Sequence, residues 1–124
     1  MEEITKAQEE ILRVLWDINE GAVADVIERL PEPKPAYTTV ATVIKVLEKK
    51  GYVSHRRYGN IHVFFPLVSR KVYAKHVLKD AYKGLFNSSL NQLVSFFVKE
   101  KSVSVGELEE LKKLIDQEIK KQKS

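Results

Sequence analysis

Across residues 37–65, "YTTVATVIKVLEKKGYVSHRRYGNIHVFF", the spacing of apolar residues switches from a helical period to a period of two. Val40, Val43, Ile44 and Leu47 share one side of a helix that stops at Gly51. Beyond it, "YVSHRRY" and "IHVFF" alternate as strands, and Gly59-Asn60 between them suits a tight hairpin turn.

The residues upstream add two more helices. "TKAQ" opens the first, with Thr5 as cap and Gln8 as capping-box partner. Ala7, Ile11, Val14, Leu15 and Ile18 share its apolar face, and Gly21 is expected to end it. A short helix follows over about Val23–Leu30, until the three prolines of "PEPKP" break the chain. Three helices and then a hairpin is the order of a winged helix-turn-helix. After Pro66 the helical period returns. Leu90, Leu93, Val94, Phe97 and Val98 line one face of a helix. Leu108, Leu111, Leu114, Ile115 and Ile119 line another, which Ser104 and Glu107 cap. Such stripes are hard to bury in a short all-helical segment, so a second copy is the expected partner. The competing reading packs them back onto the amino-terminal unit as one monomeric domain. The expected class is thus mainly α (α+β): a winged-helix DNA-binding domain over residues 1–68 and a helical dimerisation region over 69–124.

Charge points to the partner of the first part. Residues 36–83 hold ten basic and two acidic side chains, whereas residues 1–35 hold four and nine. A positive charge concentrated in one segment is the footprint of a polyanion-binding surface. On the helix opposite the apolar stripe lie Thr38, Thr42, Lys45 and Lys49, with no acid among them. The major groove accepts one helix and offers donors, acceptors and thymine methyls. Threonine meets both kinds of group, so Thr38, Thr39 and Thr42 are candidate base readers. Small Ala41 permits close approach, and Lys45 and Lys49 suit phosphates. Capping is the competing role for Thr38 or Thr39, but not for mid-helix Thr42. In the wing, 55–62, Arg56, Arg57, Tyr58 and Asn60 suit phosphate or minor-groove contact. The predicted recognition helix spans 38–50.

Helix, wing and tail together resemble the penicillinase-repressor family of bacterial transcriptional regulators, the BlaI/MecI/CopY group. Four stretches carry the resemblance: "ITKAQEEILRVLW", "YTTVATVIKVLEKKGYV", "HRRYGNIHVFFPLVSR" and "LVSFFVKEKSVSVGELEELKKLID". It implies a homodimeric repressor that binds a palindromic operator in double-stranded DNA, its carboxy-terminal helices forming the dimer. The β-lactam-responsive members are cut at an Asn-Phe bond, downstream of a membrane sensor protease. The matching position here is Phe96-Phe97. The copper-responsive members carry a Cys-x-Cys pair, and this chain has no cysteine.

Other functions find less support. His55, His62 and His76 are scattered, with no i, i+4 pair and no adjoining carboxylate, so neither a metal site nor a cofactor is expected. No phosphate loop or paired catalytic acids appear, and an enzyme is not expected. No stretch approaches 18 apolar residues and the start, "MEEITKAQEE", is acidic, which predicts a cytoplasmic chain without membrane insertion. The alternative to a repressor is a winged-helix module that binds a protein through wing and tail. Salt-dependent duplex binding separates the two.

Overall fold

Thr5 starts the first helix through the capping box its sequence predicts. Its Oγ1 accepts from Gln8 N at 3.2 Å, and Gln8 Oε1 accepts from Thr5 N at 3.0 Å. Two amides that the helix itself cannot pair are thereby satisfied. The structure, a computed structural model, describes all of residues 1–124. Its elements run α1 (Lys6–Ile18), α2 (Val23–Glu28), α3 (Tyr37–Lys49), β1 (Val53–Tyr58), β2 (Ile61–Pro66), α4 (Arg70–Gly84), α5 (Leu90–Lys99) and α6 (Val105–Lys123). The predicted class, mainly helical with a winged helix-turn-helix, is the one that forms. The chain divides into two compact units, Met1–Val77 and Leu78–Ser124.

In the first unit α1 packs against α2, α3 and β2 at once. That enclosure widens its buried arc beyond the predicted stripe. Ile11, Leu12, Val14 and Leu15 are buried, Ile18 is half-buried, and Ala7 stays exposed. α1 ends differently from the expectation. Asn19, not Gly21, takes the positive φ, 71°. Gly21 instead exchanges two backbone hydrogen bonds with Phe64, at 3.0 and 2.8 Å, which adds a short third rung to the hairpin. A Cβ there would stand 2.7 Å from Ile18 Cδ1 and 3.1 Å from Asp25 Cβ, so a larger residue would make the end of the Ile18 side chain shift.

α3 buries Val40, Ile44 and Leu47, with Val43 half-buried, as its period requires. Its N-cap is Ala36, which makes no side-chain capping bond, so Thr38 and Thr39 are not caps. Gly51, at φ 86°, turns the chain into β1, and Tyr52 is wholly buried beneath that turn. β1 and β2 pair antiparallel from Val53↔Pro66 to Tyr58↔Ile61. Gly59 opens the two-residue loop with φ of 61°, the place a type II′ turn gives to glycine.

The start of α4 is pinned to α1. Trp16 Nε1 donates to Val68 O at 2.8 Å, and Arg70 pairs with Asp17 at 2.6 Å. The Tyr73 hydroxyl donates to Glu9 Oε2 at 2.9 Å, and its ring lies 5.7 Å from Trp16 and 6.0 Å from Tyr52. Burial first, then the Glu9 carboxylate, push the Tyr73 phenol up to about 12.

The second unit has well-capped helices and no core. Ser89 caps α5, and Ser104 with Glu107 forms the predicted capping box of α6. Yet no residue of Leu78–Ser124 is buried. Leu90, Val94, Phe97, Val98, Leu111, Leu114, Ile115 and Ile119 are exposed, while Leu93 and Leu108 are half-buried. Phe96 stacks edge-on against Phe86 and Phe97, at 5.6 and 6.0 Å, but remains exposed itself.

Candidate nucleic-acid interface

The site belongs wholly to the first unit and begins with the outer face of α3. Thr38, Thr39, Thr42, Lys45 and Lys49 are all exposed there, and Ala41 is half-buried. The Thr42 hydroxyl donates to Thr38 O at 2.8 Å, one helical turn back. This bond occupies its proton and leaves the oxygen as an acceptor toward solvent.

A groove of about 490 Å³ runs between α3 and the wing. Tyr37, Ala41 and Lys45 line it from α3, and Asn60, Ile61 and His62 from the wing, with Ala22 to Ala24 at the start of α2. Three predicted residues, Ala41, Lys45 and Asn60, therefore meet in one concavity although the chain separates them widely. Thr39 does not join them. It faces the proline linker on the other flank of α3.

Strand alternation separates the two wing arginines. Arg57 is paired with His62 in the register, and its Nε donates to Gly59 O at 2.9 Å, across the turn. Arg56 points to the opposite face. Its guanidinium lies 4.2 Å from the centre of the Phe65 ring and 3.8 Å from Glu20. Tyr58 is exposed at the tip.

Sequence reasoning missed Tyr37, Ile61 and His62 as groove residues. The alternation that buries Phe64 puts His62 on the same face, so its direction was readable in principle. The expectation of histidines without a neighbouring carboxylate fails at one of them. His55 Nδ1 lies 2.5 Å from Glu48 Oε2, and its ring stacks on His62 at 4.7 Å. The turn at Gly51 folds β1 back along the end of α3, which brings together residues seven apart. No group of three or more His, Asp or Glu side chains is placed to share a metal ion. The Phe96-Phe97 bond lies inside α5, and the two carbonyls accept from Glu100 N at 3.0 Å and Ser102 N at 3.4 Å. No helix is long and apolar enough to cross a membrane.

The profile of the penicillinase repressor family matches residues 4–117, which takes in the α3 face, the wing and most of the tail. The chain belongs to the penicillinase repressor family. This penicillinase-repressor chain is 29% identical over 119 residues to the methicillin resistance regulatory protein MecI of Staphylococcus aureus strain N315, covering 92% of itself and 94% of MecI. It is 24% identical over 122 residues to the penicillinase repressor of Bacillus licheniformis, covering 98% and 95%. Among solved structures it shares its fold with a MarR family protein from Bacillus stearothermophilus, at a TM-score of 0.52 and 14% identity, over 99% of this chain and 78% of that one. Membership of the family makes it a DNA-binding transcriptional repressor, not an enzyme.

Proposed function

We propose that this repressor works as a homodimer on a palindromic operator, each copy placing α3 in a major groove and its wing on the flanking backbone. The observation that carries the proposal is the acid-free outer face of α3, beside a groove that joins it to the wing. Thr38 and Thr42 meet base edges, with Thr39 at the linker-side margin of the contact. Ala41 allows close approach. Lys45, Lys49, Arg56, Arg57, Tyr58 and Asn60 engage phosphates and sugars, which set affinity and register.

The homodimer rests on the second unit, whose apolar faces on α5 and α6 find no cover within their own unit. Small helical segments without a core need a partner to be stable. Pairing through Leu90, Val94, Phe97, Leu111 and Ile115 sets two α3 helices about 34 Å apart, one turn of duplex. The second contact is then intramolecular, so modest half-site affinities multiply. Release by a membrane sensor protease at Phe96-Phe97 requires α5 to unwind first, because its backbone is engaged in helical bonds. The function so described is exercised in the cytoplasm, where the DNA is.

Duplex binding measured against salt tests the reading. Log K is expected to fall against log salt with a slope of about 0.9 per phosphate contact. A flat salt dependence, or no retention of duplex at low salt, points instead to a module that binds a protein.

A further inference from the structure

The winged-helix unit has a second concavity that shares no residue with the α3–wing groove. It holds about 330 Å³ between α1, the proline linker and the flank of α3, at the small end of the range for ligand pockets. Ile11, Leu30 and Val40 form a buried floor, and Val43 is half-buried beside them. The linker explains why the space stays open. Pro31, Pro33 and Pro35 all line it, and a proline-rich segment cannot coil into a helix to cover the floor.

The same prolines set the chemistry of the wall, since three of its residues have no amide N–H to offer. Its polar side chains are Glu10, Glu32 and Thr39. The two carboxylates only accept, one oxygen of Glu32 already from the Lys34 amide at 3.3 Å, and no lysine or arginine side chain lines the pocket. Lys34, within the linker, instead donates its Nζ to the Glu28 and Leu30 carbonyls at 2.9 and 2.5 Å. An apolar floor under an acidic, acceptor-rich rim is complementary to one kind of small molecule.

We infer that this pocket binds a small organic cation with an apolar body, an aryl- or alkylammonium. The body rests on Ile11, Val40 and Val43, and the ammonium is held by Glu10 and Glu32. An anion of the same size meets two like charges, while the neighbouring Lys34 ammonium is spent on the Glu28 and Leu30 carbonyls. A neutral isostere forgoes the charge attraction of both carboxylates. Thr39, Val40 and Val43 are α3 residues, so a ligand seated here bears on the helix that reads DNA. A ligand that favours one seating of α3 changes duplex affinity, and duplex changes the ligand's affinity by the same factor. This coupling rests on the DNA-binding reading, whereas the site itself does not.

The test titrates phenethylammonium, neutral 2-phenylethanol and anionic 3-phenylpropionate into the full chain without DNA. The methyl resonances of Ile11, Val40 and Val43 report occupancy by NMR. Saturable shifts are expected with the cation, at least tenfold weaker binding with the alcohol, and none with the carboxylate. The double variant E10Q/E32Q changes two exposed side chains, and a thermal melt checks its folding. It is expected to bind cation and alcohol alike. Equal affinity for all three probes, or methyl shifts absent at millimolar cation, overturns the site. In a second arm, saturating phenethylammonium at constant ionic strength is expected to change duplex Kd at least threefold. An unchanged Kd with the pocket filled overturns the coupling.

Discussion

If α3 enters the major groove as proposed, one hydrogen bond narrows what Thr42 can read. Its proton is committed to Thr38 O at 2.8 Å, so in the proposed complex its oxygen would meet base edges as an acceptor. The bases that offer a major-groove donor are adenine and cytosine, through their amino groups. Thr42→Val keeps the shape and the methyl but removes the acceptor. Competition binding on operator variants is expected to show discrimination at one base pair reduced by about 1–3 kcal/mol. The salt slope should stay as it was. The wing arginines divide otherwise. Arg57→Ala is expected to weaken binding to every duplex and to lower the salt slope by about 0.9. Arg56 already has Glu20 and the Phe65 ring as neighbours, so Arg56→Ala should cost less than Arg57→Ala in the same titration. That both are exposed was legible from the hairpin pattern. That Glu20 meets one of them was not, because 20 and 56 become neighbours only when the chain before α2 pairs with β2.

Among elements, the attachment of α4 to α1 carries a pH dependence of definite sign. The Tyr73 phenol stands at about 12 in the folded chain, against an ordinary value of 10.0. A raised value means that folding favours the neutral phenol. Its contribution is complete below about pH 10, declines as the unfolded chain ionises, and is lost as pH rises through about 12. Tyr73→Phe gives up the bond to Glu9, at about 1 kcal/mol near neutral pH. Over pH 10–12 its melting temperature is expected to fall less than that of the parent, which the difference between two thermal melts reads directly. The elements were largely legible in advance. The capping boxes at Thr5 and Ser104, the α3 stripe and the hairpin all rest on local chemistry. The end of α1 was not, because Gly21 pairs with the distant Phe64 and it is Asn19 that takes the positive φ.

At the scale of the molecule, the exposed faces of α5 and α6 support the proposed homodimer. Leu111→Asp or Ile115→Asp places a charge where an apolar partner face is expected, and burying it unpaired is costly. Light scattering should then give a monomer, and gel-shift assays should lose tight operator binding while the winged-helix unit keeps its fold. Unchanged affinity from a monomeric variant would sink the link between pairing and repression. Neither residue lies in Met1–Val77, which has its own buried core, so a folding defect there is not expected.

Sequence alone determined the order of elements, the buried face of α3, the capping boxes at Thr5 and Ser104 and the excess of positive charge near the centre. These depend on period and on neighbours within a few residues, where covalent spacing dictates geometry. Tertiary structure decided the rest. It gathered Ala41, Lys45 and Asn60 around one groove, turned Thr39 toward the prolines, put Arg56 beside Glu20 and set His55 against Glu48. Each of these depends on how α3, the linker and the hairpin pack on α1, and side-chain direction across a packed interface is fixed by the neighbouring element, which local periodicity does not encode.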